Sequence, residues 1–517
     1  MTSWISLIPP VILFVVAYTT RDTIIALWVS LIAAVLLICQ GNIYQAFILF
    51  FKRLYEYFYD IDTIMLYLFL IGIGSIIALL TLIKGRYIPH EQHKKIILRS
   101  KKALELSSLV LSLIFSIDDY LSILSVGFVI RHILEKYTLQ VTRCAYLIHA
   151  LAGPLVIMIP ISSWAAAITS LFDQSGFQTK INHHIAILAD PLFAYLYTLP
   201  YIFYSVFTIF SVFIFIQFQI NFEKNEKKEP STQFTLPHYQ LVDIFLPLGT
   251  LLLLTFIGLL YSGDFYIFGG KNSLVEAFQN NKATFCVLAF SSWVAFFVGF
   301  FKAYLDKLLR KREIVLVIKN GFFVMYHASY IIILASLFSS LIRTDLKTGV
   351  YLADTLLSNV SLIFMPFIAF VTATLITLVT GTSWGTFALL IPIITQIMVT
   401  KSGLLTPISL ENIPLLLPTL GGTLSGSVLG DHISLFSETT VMTATTLNLQ
   451  PLEHAKTQLW YATPAIITCF ILHFFIGYAT IYKIPLLFIL SGGFLLCFIF
   501  IILLQKIFQH YYQKKME

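Results

Sequence analysis

Runs of eighteen or more apolar residues recur from one end of this chain to the other, and they constrain its fold more than any other feature. A stretch of that length is enough to cross the hydrocarbon core of a bilayer as a helix. Only 11% of the 517 residues are charged and 58% are hydrophobic. Soluble domains carry about 25% charged residues, so a soluble fold is excluded. The chain reads as an all-α polytopic membrane protein. Its net charge of +7 does not point to nucleic acid, because basic residues of such proteins collect on cytoplasmic loops.

The first charge is Arg21, so the N-terminus lacks the basic region of a secretory signal. Residues 3–20 are expected to be a retained first span. Cys39, Cys144, Cys286, Cys469 and Cys497 are scattered through apolar segments. They read as small buried hydrophobes, not as disulfides or metal ligands.

Loops set the orientation. Residues 84–102 hold seven Lys or Arg against Glu91, and residues 302–312 hold five against Asp306. Both are expected to be cytoplasmic; residues 222–230 are a third hydrophilic connector. Those near 173–186, 263–282 and 343–350, poor in basic residues, are placed outside. Residues 104–127 are long enough to span, yet basic residues flank both ends. A re-entrant hairpin with Asp118 and Asp119 at its tip resolves that parity conflict. A second hairpin is expected at 360–400, with GTSWGT (381–386) at its tip.

After each hairpin comes a long apolar segment interrupted in its middle. The first, 143–172, contains Gly153-Pro154 and Pro160-Ile161-Ser162-Ser163. The second, 413–446, contains Gly421-Gly422, Gly426 and GDHISLFSETT at 430–440. Further spans fit at 22–40, 63–83, 186–218, 240–262, 283–303, 314–342, 457–480 and 484–505. That makes about eleven transmembrane helices and two re-entrant hairpins. The expected units are an extra N-terminal helix (1–21), a first repeat (22–262) containing hairpin 104–130, and an inverted second repeat (263–517). Inverted repeats with interrupted helices mark secondary transporters, with the substrate site near the midplane.

An ionisable side chain at a helix centre costs about 2.5–3.5 kcal/mol on insertion scales. Asp118, Asp119, Asp431 and Glu438 therefore need water, a cation or a buried basic partner. Few basic residues lie near them in sequence, so a cation site is preferred over structural ion pairs. Carboxylates, hydroxyls and unwound carbonyls are hard oxygen ligands. The expected cation/proton-binding set is Asp118, Asp119, Asp431, Glu438, Thr382, Ser383, Ser434, Ser437, Thr439, His432, Ser162 and Ser163. Within it Asp119, Asp431, Ser383 and Ser434 are the expected metal ligands. A desolvated carboxylate holds its proton more firmly, so one site can take either a proton or a cation.

GTSWG at 381–385 matches the G-x-S-x-G nucleophile elbow, but that motif needs a strand-turn-helix in an α/β hydrolase. Membrane-helix flanks argue against it. His149 is read as a packing or hydrogen-bonding histidine.

GDHISLFSETT (430–440), EHAKTQLWYATP (453–464), GTSWGTFALLIP (381–392), DDYLSILSVG (118–127) and IPISSW (159–164) run in order along the chain. Together they resemble the NhaC-type Na⁺/H⁺ antiporter family. Ile433, Leu435 and Phe436 stand where that family usually has Cys, Pro and Ile, and Glu438 where Asp is usual. The resemblance implies Na⁺/H⁺ exchange by alternating access, with no enzymatic activity and no cofactor beyond the transported ions. The alternative is an H⁺- or Na⁺-coupled transporter of a small organic acid or amino acid; an intramembrane enzyme or passive channel ranks last. The expected partners are the lipid bilayer, a small inorganic cation and protons, with a second copy of the chain as a further candidate and no nucleic acid. The expected location is a bacterial cell (inner) membrane, with the N-terminus outside and the C-terminus cytoplasmic.

Overall fold

The computed structural model describes residues 4–20, 22–84, 95–98, 101–134, 140–160, 162–178, 187–222, 234–279, 283–357, 360–404 and 407–514. Much of the expected connectors 84–102 and 222–230 lies outside them. Four helices open the chain: α1 (Ile8–Thr20), α2 (Thr23–Ile38), α3 (Ile43–Tyr59) and α4 (Ile61–Lys84). A broken pair follows, α5 (Lys101–Ile114) and α6 (Asp119–Leu134), then a second, α7 (Val141–Val156) and α8 (Ser163–Gln174). The middle of the chain holds α9 (Pro191–Thr198), α10 (Phe203–Phe218), α11 (His238–Ser262), short α12 (Leu274–Gln279), α13 (Thr284–Leu305), α14 (Ile314–Ser340) and α15 (Thr348–Leu357). Then come α16 (Met365–Thr380), α17 (Ser383–Ser402), α18 (Leu416–Ile433), α19 (Glu438–Thr446), α20 (Pro451–Ile481) and α21 (Leu486–Lys514).

The protein is an all-α polytopic membrane protein. Among the described residues seven helices are long and apolar enough to cross a membrane, or up to ten when each sharply bent pair counts as one span. The expectation was about eleven. The difference lies in bends and breaks that shorten individual helices. α2 turns by 116° into α3, and the helix pair Pro191–Tyr201 and Phe203–Phe218 bends by 52°. No span was expected at α3, and Lys52, Arg53 and Glu56 interrupt its apolar residues. Phe47, Phe51, Tyr55 and Phe58 are exposed on it. Such a pattern suits a helix lying along an interface.

Two expected interruptions are corrected. Gly421, Gly422 and Gly426 do not break their helix, and α18 runs through them to Ile433. They let two backbones approach closely instead, the use of small residues in membrane helices. A Cβ on Gly422, Gly426 or Gly430 would stand 2.4, 2.2 or 2.6 Å from the carbonyl oxygens of Pro366, Phe370 or Thr374 on α16. Likewise Gly153-Pro154 lies inside α7, which continues to Val156. The true breaks are short: 115–118, 157–162, 381–382 and 434–437.

α16 and α17 reverse at Gly381, whose φ is +72°, and Lys401 Nζ returns to Val360 O at 2.5 Å. Both are long enough to cross a membrane, where half-helices were expected. At the first pair, Glu105 on α5 bonds Arg143 on α7, which begins seven residues after α6 ends. Those seven residues reach at most about 25 Å, whereas an unbroken rod through α5 and α6 would separate its ends by about 45 Å. α5 and α6 therefore fold back as well.

Short strands join the connectors into two groups. β1 (Lys95–Leu98) pairs antiparallel with β4 (Phe234–Pro237). β2 (Phe177–Gln178), β3 (Ile187–Leu188) and β5 (Ile408–Ser409) form a small parallel sheet. All five cysteines are free.

Candidate functional site

The breaks bring the acids together. Asp119 starts α6 and Asp118 precedes it, both buried. Asp118 Oδ1 accepts from Leu121 N at 3.1 Å, and its Oδ2 accepts from Ser163 Oγ at 2.9 Å. Ser163 N donates to Ile117 O at 2.9 Å, so the first break is stitched to the second. Ser162 caps α8, accepting from Ala165 N at 3.1 Å and donating to Val156 O at 2.7 Å. Trp164 Nε1 donates to Asp119 Oδ1 at 3.2 Å, and its ring packs edge-on against Trp384, 5.7 Å between centroids. Trp384 stands just past the Gly381 turn. One tryptophan thus links the start of α6 to the start of α17.

Asp431 sits near the end of α18 and is within electrostatic reach of Asp119. Its Oδ2 accepts from Thr439 Oγ1 at 2.6 Å, and its backbone oxygen accepts from Ser437 Oγ at 3.0 Å. Ser437 is the N-cap of α19. Thr382 caps α17, and Ser383 Oγ donates to Ser427 O at 3.0 Å, one turn before Asp431. Ser434 Oγ is buried and has no partner, so its lone pairs are open to a guest.

No Lys or Arg among the described residues forms an ion pair with Asp118, Asp119, Asp431 or Glu438. The buried basic partner considered from sequence exists elsewhere. Arg143 meets Glu105 in a bidentate pair at 2.7 and 3.1 Å, both side chains 1% exposed. No group of three His, Cys, Asp or Glu among the described residues could hold a metal ion. Any ion shell here draws on hydroxyl, carbonyl or water oxygens besides carboxylates.

Sequence reading missed a histidine chain behind Asp431. His149 Nε2 lies 3.1 Å from Thr439 Oγ1, and His149 Nδ1 lies 3.0 Å from His454 Nε2. With Asp431 ionised, Thr439 spends its hydroxyl proton on the carboxylate, so His149 Nε2 must donate to Thr439. His454 Nε2 must then donate to His149 Nδ1, leaving His454 Nδ1 bare; that atom is buried and unpartnered. Protonating Asp431 allows every bond in the chain to reverse. The tautomers follow from this bookkeeping of donors. His432 packs edge-on to His149 at 4.5 Å and its Nδ1 bonds Tyr204 OH at 2.6 Å. His149 was legible as a hydrogen-bonding histidine, but its partners lie 290 and 305 residues away. His454 stands in the late motif EHAKTQLWYATP, the one signal that could have found it.

Glu438 departs from the cluster. Its oxygens accept from Tyr120 OH on α6 and from Ser336 Oγ on α14 at 3.1 Å.

The profile of the Na⁺/H⁺ antiporter family matches residues 155–478, more than half of the chain. The chain is also 26% identical over 471 residues to an uncharacterized protein of Haemophilus influenzae, an alignment covering 88% of each.

Proposed function

Because this chain belongs to the Na⁺/H⁺ antiporter family, we propose that it exchanges a monovalent cation, sodium in the first instance, for protons by alternating access. The observation that carries this reading is the set of three carboxylates, Asp118, Asp119 and Asp431, held at helix breaks with no basic counter-charge among the described residues. Asp118 and Asp119 are buried and Asp431 is half-buried, and acids in that state attract either a proton or a cation. Ser434 and Thr439 supply further hard oxygen donors, and Ser383 and Thr382 stand on the neighbouring turn.

The motifs GDHISLFSETT and EHAKTQLWYATP support the NhaC subtype within the family. The matching order of two broken pairs, α5–α8 and α16–α19, supports two inverted repeats at 22–262 and 263–517. Rocking of one repeat against the other would open the site to alternate faces. The reading carries with it a bacterial inner-membrane location, with the basic loops inside.

Purified protein in sealed vesicles, loaded with a pH dye, tests this. A sodium pulse is expected to drive proton movement in the opposite direction. Uptake of labelled organic or amino acids with no sodium-evoked pH change would replace exchange by coupled solute transport.

A further inference from the structure

Glu438 and Asp60 both line a cavity of about 300 Å³. Asp60 is exposed where α3 gives way to α4 and accepts from Thr63 N and Thr63 Oγ1 at 3.0 and 2.9 Å. Tyr57, Ser336, Ser340, Phe436 and the Gly381-Thr382 turn line it as well.

Helix directions fix the face on which the cavity opens. α4 starts beside Asp60 and ends at Lys84, where one basic loop begins. α14 leaves the other basic loop at Ile314 and ends at Ser340, in the cavity wall. Arg53 on α3 also pairs at 2.6 Å with Asp345, just beyond α14. The mouth is therefore on the face opposite both basic loops.

The lining selects by charge. Among the described residues it offers two carboxylates, several hydroxyls and two aromatic rings, and no Lys, Arg or His. Tyr120 and Ser336 hold Glu438 through neutral hydroxyls, which fix its position without cancelling its charge. Acids in a cleft focus cations toward them, whereas an organic acid would find no counter-charge. The cavity volume is far more than a bare ion needs. An ion resting here keeps most of its water. The lining also borders the transport site: Glu438 opens α19, and its neighbour Thr439 bonds Asp431.

We propose that this cavity is a separate loading station, which takes a hydrated alkali-metal cation between Asp60 and Glu438 before the ion reaches Asp431. The inference deepens the exchange reading and rests on it for the cation's onward route. Its test is equilibrium binding of radioactive sodium to the purified full chain in nanodiscs of neutral lipid. Wild-type protein is expected to show two classes of sodium site, a weaker and a tighter one. Glu438→Gln keeps the side chain's size and should remove the weaker class. Asp60→Asn, which still caps α4, should weaken that class about threefold at low ionic strength, an effect fading with salt. Both variants should keep the class that Asp431→Asn removes. A single class, untouched by Glu438→Gln and Asp60→Asn but lost in Asp431→Asn, overturns the station and leaves exchange standing. Absence of any sodium binding in wild type overturns both. Displacement of sodium from the weaker class by methylammonium more strongly than by lithium or potassium overturns the alkali-metal assignment.

Discussion

Asp431 carries the heaviest chemical demand of any single residue. A cation that binds only the ionised carboxylate competes with a proton for the same oxygens. Apparent sodium affinity should therefore strengthen as pH rises, by about tenfold per unit while one proton is displaced per ion, then level off once the group is ionised. Asp431→Asn keeps the shape but removes that competition. Sodium-driven proton flux in vesicles should be lost at unchanged protein yield, and normal flux would show that the acid is structural. A second residue-scale test concerns His149. Gln can still donate to Thr439 but cannot pass a proton from one ring nitrogen to the other. His149→Gln is expected to slow proton movement at least tenfold while leaving sodium binding within a few-fold of wild type, because only the former needs a relay. Equal loss of both would assign His149 to packing. The acids were legible in the sequence, because four carboxylates in apolar segments demand an explanation. Tyr204, Tyr120, Ser336 and His454 were not, since each meets its partner across a hundred residues or more and no local spacing records that.

Among the elements, α16 and α18 show what the glycines are for. Gly426→Ala would put a methyl 2.2 Å from Phe370 O, a backbone atom that cannot yield without moving the helix. Overpacking of this kind costs about 1–3 kcal/mol, so a lower unfolding temperature in detergent is expected. Gly153→Ala is the control: its added Cβ would meet nothing closer than Trp164 at 3.8 Å, so little change is expected. Read from sequence, both glycines looked alike, as interruptions of a span; only the partner helix separates them. The Glu105–Arg143 pair is the matching polar device, tying α5 to α7 and, through Phe215 O, to α10. Glu105→Gln leaves a buried guanidinium unbalanced and should destabilise by about 3–5 kcal/mol. Replacing both partners together, Glu105→Leu with Arg143→Met, should recover much of that loss. A double variant as unstable as the single one would mean that the pair's charge is not the issue.

At the scale of the whole molecule, the connectors sort into two faces. The β1–β4 pairing places residues 95–98 and 234–237 together. The three-stranded sheet joins 177–178, 187–188 and 408–409, and α12 packs against α8 nearby. The first group joins the basic connector 84–102 to the stretch that follows 222–230, and the second joins a connector poor in basic residues, near 173–186, to residues 187–188 and 408–409. Which face is cytoplasmic depends on the basic residues of 84–102 and 302–312. That assignment can be tested with single cysteines, in a background lacking Cys39 and Cys286, the two native thiols that are not fully buried. An impermeant reagent applied to intact cells should label Ile267→Cys, whose native side chain is 65% exposed in the 263–282 connector. It should leave Lys95→Cys and Leu308→Cys unlabelled until the membrane is permeabilised. The reverse pattern would put the basic loops outside and turn the Asp60–Glu438 cavity toward the cytoplasm. An ion resting in it would then be one awaiting export, and the order of loading and release would invert with it.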